Sequence, residues 1–227
     1  RAPQELAGGN SSFTAGAIRC VYDGADDLRK LMPDLSDQML AITDFGQYTA
    51  DNFYDDMARV TEYRADPDMV ELLVSRSRAT LLWMRDKGIR FAPIYGRQAF
   101  KIDGRFKFWG GLTVEAVGGG PGLVAGLTAA ASKSGIQIAY RARALNLVTG
   151  DDGVSGVVVK QEGRTQTVKA SAVVLAAGGF QANTEWRARY LGPGWEFAKV
   201  RGTSYNTGDG IRMALDAGAI SWGHWSG

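Results

Sequence analysis

Apolar and polar positions follow several distinct periods along this chain. Phe53, Met57 and Val60 recur at i, i+4 and i+7, which predicts one buried face of a helix. Asp66-Pro67 supplies an N-cap and a first-turn proline. Val70, Leu73, Val74, Ser77, Leu81 and Met84 then keep helical spacing until Gly88 ends the run. Phe100 to Phe108 instead alternates with period two about Asp103-Gly104, predicting a tight hairpin.

Farther along, Gly118-Gly119-Gly120-Pro121-Gly122 predicts a turn, and the small residues Leu123 to Ala131 predict a helix stopped by Gly135. Ile136 to Tyr140 reads as a strand. Ala144 to Val148, Val154 to Lys160 and Thr165 to Val168 read as a meander, with turns at Asp151-Asp152-Gly153 and Glu162-Gly163. Ala172-Val173-Val174-Leu175, followed by Ala176-Ala177-Gly178-Gly179, reads as a buried strand of a covered parallel sheet. The small residues behind it let main chain approach a ligand at the strand's carboxyl end, where open α/β sheets bind cofactors. Asn206-Thr207-Gly208-Asp209-Gly210 opens a last helix of pattern Ile211, Met213-Ala214-Leu215, Ala217, which stops at Gly218. The fold class is therefore α/β.

Composition narrows the class by exclusion. At 227 residues, 45% hydrophobic and 22% charged, the chain can bury a sizeable core. It has no apolar run near the ~20 residues of a membrane helix, so no membrane span is expected. A single Cys20 excludes an internal disulfide and a four-cysteine iron–sulfur site, and it fits a reducing, cytoplasmic compartment. Cys20 itself reads as a small buried apolar residue. With one histidine, His224, no metal site is expected. The net charge of +2 hides an asymmetry. Residues 1–75 carry 14 acids against 6 bases, whereas residues 76–107 carry 9 bases against 2 acids. The basic stretch reads as a solvated helix face and hairpin, with attraction of an anion as the alternative. No nucleic-acid motif accompanies it.

Three blocks carry a family likeness: Gly8-Gly9-Asn10-Ser11 with Thr14-Ala15-Gly16, the Val-Val-Leu-Ala-Ala-Gly-Gly-Phe run with Asn183, and Asn206 to Gly210. On these the chain resembles the flavoproteins of the fumarate reductase/succinate dehydrogenase class. Two further blocks, Asp51 to Met57 and Ser221 to Gly227, are similar to the FAD-dependent tricarballylate dehydrogenases and the flavoprotein half of related precorrin-3B synthases. The resemblance implies a doubly wound, glutathione-reductase-like FAD domain with a β-meander over residues 1–183. It also implies the start of a substrate clamp domain over residues 184–227. The family's opening strand and Gly-x-Gly-x-x-Gly turn are not found before Gly8, and there is no initiator Met. The chain thus reads as an excerpt of a larger enzyme, not competent alone.

The resemblance also distributes roles. Gly8, Gly9, Asn10, Ser11, Thr14, Ala15 and Gly16 are expected along the flavin and pyrophosphate, with Arg1 near the adenosine half. Ala144 matches a residue whose main chain meets adenine. Ala176, Ala177 and Gly178 match the adenine-side strand end, and Thr207, Gly208 and Asp209 match the turn near the ribityl chain. Asp209 as a helix N-cap is the structural alternative. Asn10 stands where the resemblance places a flavin-bonding His in covalent members, so noncovalent FAD is expected. The implied activity is oxidation of a CH–CH bond of a polycarboxylate, tricarballylate foremost, with a separate electron-transfer protein. Alternatives are a fumarate reductase, 3-ketosteroid dehydrogenase or precorrin-3B synthase-like enzyme, or a flavin-binding interaction module. His224 and Arg201 are candidate substrate contacts, and the proton-transferring residue is expected beyond Gly227.

Overall fold

A computed structural model describes residues 1–223 and residue 225. They divide into two compact units, Thr14–Ile136 and the pair Arg1–Phe13 with Gln137–Gly227.

The unit Thr14–Ile136 contains helices α1 (Gly24–Leu31), α2 (Asp37–Ala41), α3 (Ala50–Val60), α4 (Pro67–Asp86), α5 (Tyr95–Gln98) and α6 (Gly119–Lys133). Its strands are β1 (Ala17–Ile18), β2 (Thr43–Asp44), β3 (Phe91–Pro93), β4 (Ala99–Ile102), β5 (Arg105–Phe108) and β6 (Val114–Ala116). β6 lies antiparallel between β1 and β3. β5 pairs antiparallel with β4 and parallel with β2. The β4–β5 hairpin turns on Asp103 and Gly104, both at positive φ, the conformation that its Asp-Gly pair favours.

Helix α4 follows its start and stop signals. The Asp66 carboxylate accepts from the backbone N–H groups of Asp68 and Met69, and Pro67 occupies the first turn. Its buried face is Val74, Ser77, Leu81 and Met84. Ser77 is tolerated inside because its hydroxyl accepts from Val21 N–H (3.1 Å) and donates to the Val74 carbonyl (2.9 Å). Leu28 and Leu31 of α1 join Val74, Leu81 and Val114 in the core. Each such side chain contributes about 1.5–3 kcal/mol by leaving water. Two expected face residues stay outside. Leu73 lies off the buried side of α4, and Val60 is the last residue of α3, where the chain turns away through Glu62 and Tyr63 at positive φ. Cys20 is buried, and that burial pushes its thiol up to about 11 against a smaller opposing effect of Arg78. At neutral pH it is a packing residue.

The other unit carries strands β7 (Arg143–Gly150), β8 (Gly153–Gln161) and β9 (Arg164–Lys169), an antiparallel meander as the turn signals predict. Its helices are α7 (Thr184–Leu191) and α8 (Asp209–Asp216). The register slips between Ala144 and Asn146, a bulge, and Arg212 of α8 donates to the freed Leu145 carbonyl (2.6 Å). The helix thus docks where the ladder is interrupted.

Two expected strands are absent among the described residues. Ile136 to Tyr140 and Ala172 to Leu175 make no ladder, and Val174 is 88% exposed. An apolar run becomes a buried strand only where strands flank it and layers cover it. Here β7, β8 and β9 pair with one another, and no described strand lies alongside either run. Among the described residues no helix is long and apolar enough to cross a membrane.

Candidate functional site

In the unit Thr14–Ile136, Thr14-Ala15-Gly16 is laid main chain to main chain on the turn that opens α6. Gly120 N–H donates to the Thr14 carbonyl (3.0 Å), and Ala116 N–H donates to the Gly16 carbonyl (2.8 Å). A Cβ at Gly16 would stand 2.7 Å from the Gly119 carbonyl carbon, so only glycine permits this approach. Sequence reading identified both glycine clusters without linking them. Asp56, within the Asp51 to Met57 block, is engaged inside the fold. Its carboxylate accepts from Tyr48 Oη (2.7 Å), Arg19 (2.9 Å) and Arg59 (2.9 Å), and these partners hold it below the usual carboxylate range.

In the other unit, three expected segments meet. Gly9, Asn10 and Ser11 form a 3-10 turn, Gly9–Phe13. Asn10 Oδ1 accepts from Thr203 N–H (3.0 Å), and Gly202, lacking a side chain, leaves the room for it. The run behind Leu175 packs on the start of α8. A Cβ at Gly210 would lie 3.0 Å from Ala177 Cβ, and Gly208 N–H donates to the Gly179 carbonyl (3.1 Å). Asn183 caps α7 through Trp186 N–H (3.1 Å) and donates to the Thr207 carbonyl (3.1 Å).

Asp209 joins the first residue of the chain to the meander. Arg1 donates to Asp209 Oδ2 (3.0 Å) and to Thr207 Oγ1, while Arg143 donates to Asp209 Oδ1 (3.1 Å). Burial alone raises the Asp209 pKa. The hydrogen bond and charge of Arg143, with the charge of Arg1, outweigh it and hold the carboxyl below its ordinary value. The N-cap of α8 is Gly208, with no side-chain cap, so Asp209 acts through its two arginines and not as the cap residue. Arg143 is the residue that sequence reading missed. It stands at the first position of β7, and only the fold brings it to Asp209, 66 residues on in the chain.

Arg201 is exposed, with no hydrogen bond or ion pair among the described residues. His224, Ser226 and Gly227 lie outside the described residues. An open groove of about 630 Å³ runs beside Gly179, lined by Phe180, Leu191, Trp195, Ile211, Trp222 and Trp225. Arg187 borders it but is committed elsewhere, donating to four main-chain carbonyls.

Residues 36–222 match the family model of the FAD binding domain, and the chain belongs to that family. FAD is therefore its cofactor. It is 29% identical over 177 residues to a probable fumarate reductase of Shewanella frigidimarina (strain NCIMB 400), covering 75% of this chain and 29% of that protein. It is 41% identical over 75 residues to a 3-oxosteroid 1-dehydrogenase of Comamonas testosteroni, covering 32% of this chain and 13% of that protein. The open conformation of a flavocytochrome c3 fumarate reductase superposes with a TM-score of 0.72 at 25% identity, covering 93% of this chain and 34% of that one. The likeness to fumarate reductase-class flavoproteins thus holds at the level of family and fold. The chain spans about a third of the length of the fumarate reductases it matches.

Proposed function

We propose that this chain supplies part of the FAD site of an oxidoreductase acting on a CH–CH bond of a polycarboxylate of the tricarballylate kind. The observation that carries the reading is the meeting of Gly9-Asn10, Ala177 to Gly179 and Asn206 to Asp209 in one unit of a chain that matches the FAD binding domain over residues 36–222. Such glycine-lined main chain suits a phosphate-bearing dinucleotide, because N–H groups approach oxygen without side-chain obstruction. On this reading Gly8, Gly9, Asn10 and Ser11 line the pyrophosphate and flavin, and Thr14, Ala15 and Gly16 are assigned to the same cofactor by the family resemblance. Ala144, Ala176, Ala177 and Gly178 face the adenine half. Arg1, Thr207, Gly208 and Asp209 border the ribose and ribityl oxygens.

FAD, when bound, exchanges a hydride with a substrate carbon. The chain's own residues bind and orient. Arg201, exposed and without an ion pair among the described residues, stands two positions before Thr203 in the chain and would pair with a substrate carboxylate. Residues 1–183 would belong to a doubly wound FAD domain in which Ala172 to Leu175 gains flanking strands, and residues from 184 would begin a clamp. The polycarboxylate assignment leans on the resemblance of Asp51 to Met57 and of the tail, and electrons would pass to a separate protein.

A second reading has its own support. The aromatic groove beside Gly179 and the 75-residue likeness to a 3-oxosteroid 1-dehydrogenase favour a large apolar substrate. Anaerobic mixing of the full-length holoprotein with tricarballylate is expected to bleach the oxidised flavin band, with succinate poorly effective. Bleaching by a 3-ketosteroid but not by tricarballylate would replace the first reading with the second.

Asn10 offers no ring nitrogen for a bond to flavin, and its Oδ1 already accepts from Thr203. Acid precipitation of the holoprotein is accordingly expected to leave all the flavin in the supernatant. Yellow colour retained on the washed, denatured polypeptide would contradict noncovalent binding.

A further inference from the structure

Asn206 stands between the two glycine loops of its unit. A Cβ on Gly178 would lie 2.7 Å from Asn206 Nδ2, and one on Gly9 would lie 4.0 Å from Asn206 Oδ1. Both glycines have positive φ, +72° and +54°. The Asn206 main chain is anchored, since its carbonyl accepts from Ala182 N–H (2.9 Å) and the next carbonyl accepts from Asn183 Nδ2 (3.1 Å). Yet the half-buried Asn206 amide has no hydrogen-bond partner among the described residues.

Its surroundings favour an anion. The Arg1 guanidinium lies 5.8 Å over the Tyr205 ring and donates to Thr207 Oγ1, so it touches the residues on both sides of Asn206. Arg1 and Arg143 share the single carboxylate of Asp209, which leaves one positive charge in excess. The other polar residues of the loops are already oriented, Asn10 by Thr203 N–H and Asp209 by both arginines. An unpaired amide donor on an anchored main chain, beside an uncompensated cation and on a floor of two glycines, suits a phosphate oxygen.

We propose that Asn206 is a further cofactor-contacting residue, its Nδ2 donating to a pyrophosphate oxygen of the FAD laid along Gly8 to Asn10 and Ala177 to Gly179. This inference rests on the FAD-site reading above. Asn206 therefore selects for the diphosphate and contributes nothing to the flavin ring.

The experiment compares FAD, ADP and riboflavin binding to the full-length apoprotein with Asn206, Asn206→Ala and Asn206→Asp. ADP carries the diphosphate without a flavin, and riboflavin the flavin without a phosphate. The Ala variant is expected to bind FAD and ADP about tenfold more weakly, the scale of one lost hydrogen bond to a charged group. The isosteric Asp variant, which loses the donor and adds a negative charge, is expected to lose at least as much. Riboflavin affinity and the melting temperature of ligand-free protein should not change. Unchanged FAD and ADP affinity in both variants would overturn the assignment, as would a parallel fall in riboflavin binding, which would signal a distorted loop. If Asn206→Ala does not fold, Asn206→Asp decides alone. Failure of the unmodified protein to bind FAD would overturn the FAD-site reading itself, a result distinct from equal binding by all three proteins.

Discussion

Gly16→Ala is expected to destabilise the protein by about 2–5 kcal/mol and to empty it of flavin. Gly16 has φ +73°, a conformation that costs an L-residue about 1–2 kcal/mol. The new Cβ would also stand 2.7, 2.9 and 3.0 Å from the carbonyl carbon, oxygen and Cα of Gly119. Those are main-chain atoms and cannot rotate aside, so an overpacking cost of about 1–3 kcal/mol adds to the first. Relief by moving apart would stretch the bonds from Gly120 N–H to Thr14 and from Ala116 N–H to Gly16. Gly135→Ala is the control, because Gly135 shares the positive φ (+74°) but has open space around its Cβ position. The check is urea denaturation with flavin-to-protein ratio for both variants. Equal midpoints would show that the contact with Gly119 does not matter.

Arg187→Ala is expected to cost about 3–5 kcal/mol, and mainly to loosen residues 192–198. The residue is 7% exposed although no carboxylate pairs with it among the described residues. Nε donates to the Trp195 carbonyl (2.9 Å), Nη1 to Gln181, and Nη2 to Glu196 (3.1 Å) and Ala198 (3.2 Å). Truncation removes all of these donors together. Each acceptor left in a confined site without a partner costs on the order of 1–3 kcal/mol, reduced where water enters through the adjoining groove. Arg187→Lys should fall between, since an ammonium has three donors and no fork. Hydrogen exchange should quicken at 194–198 in both variants, more in the Ala variant. Exchange unchanged there would refute the role assigned to the guanidinium.

The sequence alone makes legible what short-range physics decides. Asp103-Gly104 fixes its hairpin because both residues accept positive φ, and Asp66-Pro67 starts α4 because the carboxylate reaches N–H groups two and three residues on. The glycine clusters are legible for the same reason. They mark where main chain must come close to something.

What the sequence could not say was to what. Ala172 to Leu175 has the composition of a buried strand, yet burial depends on flanking strands, and none lies beside it among the described residues. Gly16 announced a close approach, but only the folded unit identifies Gly119 as the surface approached. Asp209 reads as a turn residue near the ribityl chain, with a helix cap as the alternative, and only the fold brings to it two arginines 208 and 66 residues away. Asn206 was one letter of a turn until Gly9 and Gly178 closed on it. Turns and caps are determined by interactions within a few residues, which the sequence by itself dictates. Partners brought together across tens or hundreds of residues are selected by packing, and only the tertiary structure decides them.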